Sequence, residues 1–351
     1  VRLLGSFAIL APLALAALSC QEHKSPPPLD FASKPPGVGG HPTGGAKDGG
    51  TEAGATRKAT VLADAQPGPT GIAVSGAYVY FTCVGDGQPG TGSVRRVPKG
   101  GGKVEELVTG ETAPWFIAAT GSAIVWTSPK PGAQGGAVKR ADADGANPTT
   151  LVSGIAAPSG LVLDTTNAYF PYAVGGGFTV ARTALTTPGR VDLGVSANGS
   201  EPGGIALSGG FAYVAGSGAV GGLYRVPLAG AAAETVYGQA SANFVDLAVV
   251  GTDAYVADDV ATTGQLVSIS TATPGSASAV VTDIDHPAHV ATDGAYVYFT
   301  SRAQDGAVGA YPIGGGQAFA IADGLRFPYG IAVDDAVYVT TETEVLKLPR
   351  Q

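Results

Sequence analysis

Seven times between residues 69 and 333 the chain writes a short apolar phrase, beginning at Pro69, Pro114, Pro158, Pro202, Phe244, Pro287 and Pro328. The steps between these anchors run from 41 to 45 residues. A heptapeptide, GAYVYFT, even recurs letter for letter at 76–82 and 294–300. Each unit divides into four short segments. Segment a resembles GIAVS. Segment b reads YVYFT, AIVWT, AYFPY, AYVAG, AYVAD, YVYFT and VYVTT in turn. Segment c resembles SVRRVP, and a Gly-, Asp- or Pro-rich turn leads to segment d, such as VEELVTG or TTLVSG. Four-stranded units of about forty residues are the sequence signature of a β-propeller blade.

The chemistry of the segments predicts the same architecture. Segment b is apolar at consecutive positions, so both faces of its strand must be buried, as when blades pack face to face around an axis. Its β-branched and aromatic content and flanking glycines argue against a helix. Small residues in segment a (Gly71, Ala73, Gly204, Ala206, Gly330, Ala332) suit the crowded centre where blades converge. The last unit reaches Gln351 without a segment d, while 59–65 (ATVLADA) reads as a segment d without its own a, b and c. That strand is expected to complete the seventh blade and leave no bare sheet edge. The expectation is an all-β, seven-bladed β-propeller over residues 58–351, closed by an N-terminal strand. With charged residues at 14% and hydrophobic residues at 44%, the composition is too apolar for a disordered chain.

Ahead of the repeats stand two segments of different character. Residues 1–19 hold a lone Arg2 and an apolar run from Leu3 to Leu18, too short to span a bilayer comfortably and shaped like a signal peptide. Residues 20–57 are rich in Pro, Gly and charge, which predicts a disordered tether with an end-to-end distance of roughly 35 Å. The sequence Ala17-Leu18-Ser19-Cys20 resembles the lipobox of bacterial lipoproteins, with Ala17 standing where Leu is favoured. The resemblance implies lipidation of Cys20 and a cell-envelope location in a bacterium. By likeness to enteric lipoproteins, Gln21 at the next position favours the outer membrane over a periplasm-facing inner-membrane anchor.

Unit two, AVKRADADGANPTTLVSGIAAPSGLVLD, resembles the YWTD repeat of lipoprotein-receptor propellers, and the pattern is shared with the NHL and virginiamycin-lyase propellers. The likeness runs repeat by repeat over 59–351. It departs from the receptor class in two ways. Thr82, Thr127 and Thr300 are followed by Cys83, Ser128 and Ser301 where the motif closes on Asp, and there are seven units where that class has six. The resemblance therefore implies architecture, and receptor ligand binding is not carried over.

Function narrows by charge and chemistry. Residues 59–351 hold 14 Lys/Arg against 24 Asp/Glu, an acidic body that repels nucleic-acid phosphates. Cys20 and Cys83 have no CxxC or His neighbour of the kind zinc needs, and no cofactor or metal is expected. Asp142 to Asn147 and the glycine runs at 100–102 and 314–316 read as hairpin turns. By fold-level analogy, propeller sites sit on the face shared by the d–a and b–c loops. Mapped there, the expected binding face comprises Trp115, Glu201, Phe244, His286, His289, Arg302, Arg326 and Tyr329, within which Trp115, Phe244 and Tyr329 read either as ordinary blade-packing residues or as an aromatic ring for a sugar or peptide. The b–c loops also carry Asp86, Lys130, Asp258, Asp259 and Asp305. No catalytic residue is assigned. The expectation is a monomeric, lipid-anchored binding scaffold for a protein, peptide or glycan. The alternative is a lyase or lactonase that uses His286 or His289 with Glu201 or Asp246.

Overall fold

The computed structural model describes residues 59–129, 135–196, 200–218, 220–260 and 263–350. Cys20, the expected leader and tether, and Lys130 lie outside them. The described residues form seven antiparallel four-stranded sheets and contain no helix. Each sheet is one blade, its strands a to d running outward from a central axis, in chain order in six of the seven. Blade 1 shows the plan, with strands Pro69–Ser75, Tyr78–Cys83, Gly92–Pro98 and Glu105–Glu111.

Blade 7 is built from both ends of the repeat region. Ile331–Val333, Val337–Thr340 and Val345–Leu348 supply a, b and c, and Thr60–Ala63 lies along the last of these as strand d. The pairing is antiparallel, Thr60 opposite Lys347 and Ala63 opposite Val345. Leu62 and Ala63 enter the core between blades 7 and 1, so the ring is closed by apolar burial as well as by the ladder.

The doubled heptapeptide is now explained by packing. A strand points successive side chains to opposite faces. In blade 1, Val79 and Phe81 pack toward blade 7, and Tyr80 packs toward blade 2. In blade 6, Val297 and Phe299 face blade 5, and Tyr298 faces blade 7. Seven apolar clusters result, one at each blade interface. The core is thus a ring of slabs, and strand b is buried on both faces as its composition requires.

The final Thr of the heptapeptide has a further task. Thr82 Oγ1 accepts the Gly71 N–H at 2.9 Å and donates to the Trp115 carbonyl of blade 2 at 2.7 Å. Thr300 does the same between His289 N–H (3.1 Å) and the Tyr329 carbonyl of blade 7 (2.8 Å). Thr340 links Gly330 N–H (2.9 Å) to the Thr70 carbonyl of blade 1 (2.7 Å). Each hydroxyl is wholly buried and staples one blade to the next, satisfying backbone groups that strand pairing leaves over. Blades 3, 4 and 5 carry Pro171, Ala215 and Ala257 at this place.

Candidate functional site

The start of strand a sets the geometry of the axis. In blades 1, 4, 5 and 6 its pairing with strand b shifts between the anchor and the residue two or three positions on. Such bulges re-aim side chains. Across the ring, the residue two after each anchor lines the central cavity: Gly71, Phe116, Gly160, Gly204, Asp246, His289 and Gly330. The apolar residue that follows each of them forms the next layer down. Four of these seven positions are glycine because the axis is crowded; a Cβ on Gly71 would stand 2.1 Å from the Trp115 carbonyl oxygen. The other three are an aromatic, a carboxylate and an imidazole, and they converge.

His289 Nδ1 lies 2.9 Å from Asp246 Oδ2, and the Val290 N–H reaches the same oxygen at 3.1 Å. Both side chains are largely buried, at 12% and 15% exposure. Gly204 makes room for the carboxylate, since a Cβ there would sit 1.8 Å from Asp246 Oδ1. Phe116 reaches across the axis from blade 2, its ring centroid 5.6 Å from that of His289 in edge contact. Tyr329 packs edge-on against the other side of the site, 4.5 Å from the imidazole centroid. What remains open at the axis is a cavity of about 170 Å³.

Above the cavity, Trp115 and Tyr329 meet edge-to-face with centroids 5.8 Å apart, and Trp115 Nε1–H donates to Tyr329 Oη at 3.0 Å. The Arg302 guanidinium stands 5.5 Å from the Tyr329 ring centroid. Burial pushes the Tyr329 phenol above its ordinary value; Arg302 and the Trp115 N–H act in the opposite sense, and Asp246 adds to the rise. Trp115, His289, Tyr329 and Arg302, expected on one face from the repeat register, therefore do come together.

None of the remaining residues of the expected face lines the cavity. Phe244 is 1% exposed and stacks on Tyr237 in the core between blades 4 and 5, so of its two readings it takes blade packing and not the aromatic ring. His286 is exposed, with its Nδ1 3.0 Å from Asp259 Oδ1. Arg326 is paired with Glu342 at 2.6 Å. Glu201 is exposed on strand a of blade 4 (Ser200–Ser208), outside the cavity lining. Phe116 was not anticipated. Reading the column two residues after every anchor would have found it, because that column is glycine in four blades and departs from glycine in only three.

Chemically, the Asp246–His289 pair fixes the imidazole by its Nδ1 side, which leaves Nε2 as the acceptor when Nδ1 carries the proton. The glycine side of the cavity offers backbone and little else. Among the described residues, no three His, Cys, Asp or Glu side chains are grouped so as to hold a metal ion.

No family model matches the chain, and no curated protein matches it. Solved structures do. Hydrazine synthase from Kuenenia stuttgartiensis aligns at 14% identity over 82% of this chain and 97% of that one, with a TM-score of 0.68. YCF48 bound to D1 peptide aligns at 11% identity over 86% and 99%, with a TM-score of 0.60. A puromycin hydrolase aligns at 14% identity over 82% of this chain, with a TM-score of 0.61, but the match spans only 52% of that protein. At such identities the likeness is one of fold. It joins this chain to propellers that bind and to propellers that occur in enzymes.

Proposed function

We propose that this chain is a binding scaffold of the cell envelope, a propeller carried on a tether from lipidated Cys20 that holds a protein, peptide or glycan at its d–a loop face. The observation that carries this reading is the fixed aromatic group at the mouth, where Trp115 and Tyr329 are locked together by the 3.0 Å N–H···O bond and backed by His289. Rings held in place before binding offer contact area at small entropic cost, and Trp, Tyr and Arg dominate the energetics of interfaces. The cavity below, at about 170 Å³, is smaller than the 300–1,000 Å³ typical of pockets for drug-sized ligands, which favours a surface partner with one group inserted. YCF48, a propeller of like fold, has been captured with a peptide.

Binding can be read from Trp115 fluorescence, since Trp126, the second tryptophan, is wholly buried. Screening peptide and glycan arrays should yield a saturable ligand whose affinity falls at least ten-fold in Trp115→Ala, about 1.4 kcal/mol. A ligand held equally well by Trp115→Ala and Tyr329→Ala would refute the site. Mass spectrometry of the mature N-terminus tests the anchor: a peptide beginning elsewhere than a lipidated Cys20 would refute it.

A second reading, an enzyme of lyase or lactonase type, is favoured by one observation, the 2.9 Å contact between His289 and Asp246. An oriented imidazole is the usual general base near neutral pH. Its test is turnover of a lactone or ester panel that His289→Gln abolishes; turnover untouched by that change would exclude the dyad.

A further inference from the structure

We propose that the axial cavity is a receptor for a single organic ammonium group, of the size of a lysine side chain, with Asp246 as its counter-ion. The proposal rests on the reading of the loop face as a binding surface and names the group that face inserts.

Three observations carry it. Asp246 is the only carboxylate that lines the cavity among the described residues, and both of its recorded hydrogen bonds fall on one oxygen, Oδ2. Oδ1 is turned to the Gly204 side, where the missing Cβ leaves it room. A carboxylate oxygen in a part-buried cavity prefers a charged N–H donor, because charge-assisted bonds are about twice as strong as neutral ones. Phe116, reaching across the axis, lines the same cavity and supplies an aromatic ring over which an ammonium can sit.

Size and field agree with that chemistry. A cavity of roughly 150 Å³ holds benzene, a ligand of six heavy atoms. The lysine side chain has five, so about 170 Å³ accommodates it, whereas a sugar ring with its hydroxyls is too large. The body is acidic overall, with 24 Asp/Glu against 14 Lys/Arg over 59–351, and so attracts cations at long range, while Arg302 at the mouth acts against them locally.

The test uses n-butylammonium and its neutral counterpart n-butanol, titrated into the full-length protein while the His289 ring signals are followed by NMR. Wild type is expected to prefer the amine by roughly ten-fold or more, and Asp246→Asn, nearly identical in shape, to reduce that preference to about two-fold or less. No preference in wild type, or an undiminished one in Asp246→Asn, overturns the proposal. The butanol arm keeps the wild-type result decisive even if the variant fails to fold. Nα-acetyl-lysine amide distinguishes the source: tighter binding than butylammonium assigns the group to a peptide side chain, weaker binding to a free amine, and both outcomes keep the ammonium class. Trp115→Ala leaves the cavity lining intact and should retain amine binding while losing the macromolecular partner. A failed cavity and a failed loop face are thereby told apart.

Discussion

Removing one interblade hydroxyl at the seam of the ring should cost the propeller several degrees of thermal stability. Thr340 Oγ1 is wholly buried; it accepts the Gly330 N–H at 2.9 Å and donates to the Thr70 carbonyl at 2.7 Å. Thr340→Val keeps the shape and deletes both bonds. Two intramolecular bonds contribute about 1 kcal/mol each, and a buried donor and acceptor are then left without partners, so the loss is about 3 kcal/mol. Unfolding entropy near 2.1 cal/mol/K per residue over ~290 residues is ~0.6 kcal/mol/K, which converts that loss to a fall of ~5 °C in Tm. Scanning calorimetry of the wild type, Thr340→Val, and the exposed-strand control Thr150→Val measures it. If Thr340→Val melts within ~1 °C of wild type, or the control falls as far, the hydroxyl does not staple the blades.

Other consequences can be checked by similar means. Glu111 is buried and accepts bonds from Trp126 Nε1, Ser128 Oγ and Lys139 Nζ; Glu111→Ala strands these groups and should cost about 3 kcal/mol, seen as a Tm fall of ~5 °C with altered Trp126 fluorescence. Burial opposes ionisation of Asp164, but the Thr166 and Asn167 N–H groups and the hydroxyls of Tyr169 and Thr166 outweigh it and hold its carboxyl down at about 2. Because its folded value lies below the unfolded one of about 3.9, its contribution is present above pH ~4 and is lost as pH falls through about 2. Asp164→Asn should therefore lose less Tm than wild type between pH 5 and pH 2, and an equal loss would refute the assignment. Burial pushes the Cys83 thiol up to about 12; the folded propeller should leave Cys83 unlabelled by a thiol reagent at pH 8, with full labelling in denaturant.

Blade number, ring closure and the two-faced burial of strand b could all be read from the letters, because each follows from local patterning repeated at a fixed period. Val79, Phe81 and Tyr80 announce two buried faces whatever surrounds them. The site was legible only in part. Trp115, His289 and Tyr329 stand at or near anchor positions, and that register placed them on one face. Phe244 occupies an anchor position too, yet its ring turns into the core against Tyr237, since an anchor that is not Pro can offer its side chain to the neighbouring blade. Phe116 escaped notice because an apolar residue beside strand a reads as core.

The sequence by itself determined the scaffold: seven four-stranded blades, the closing strand, and the acidic net charge. The pairing of Asp246 with His289, the reach of Phe116 across the axis and the Trp115–Tyr329 bond were decided by the tertiary structure. The reason is geometric. Repeated letters specify contacts between neighbouring blades, which recur all around the ring. The axial site is built from single departures from the repeat, and closing the ring brings equivalent positions of distant blades within a few ångströms of one another.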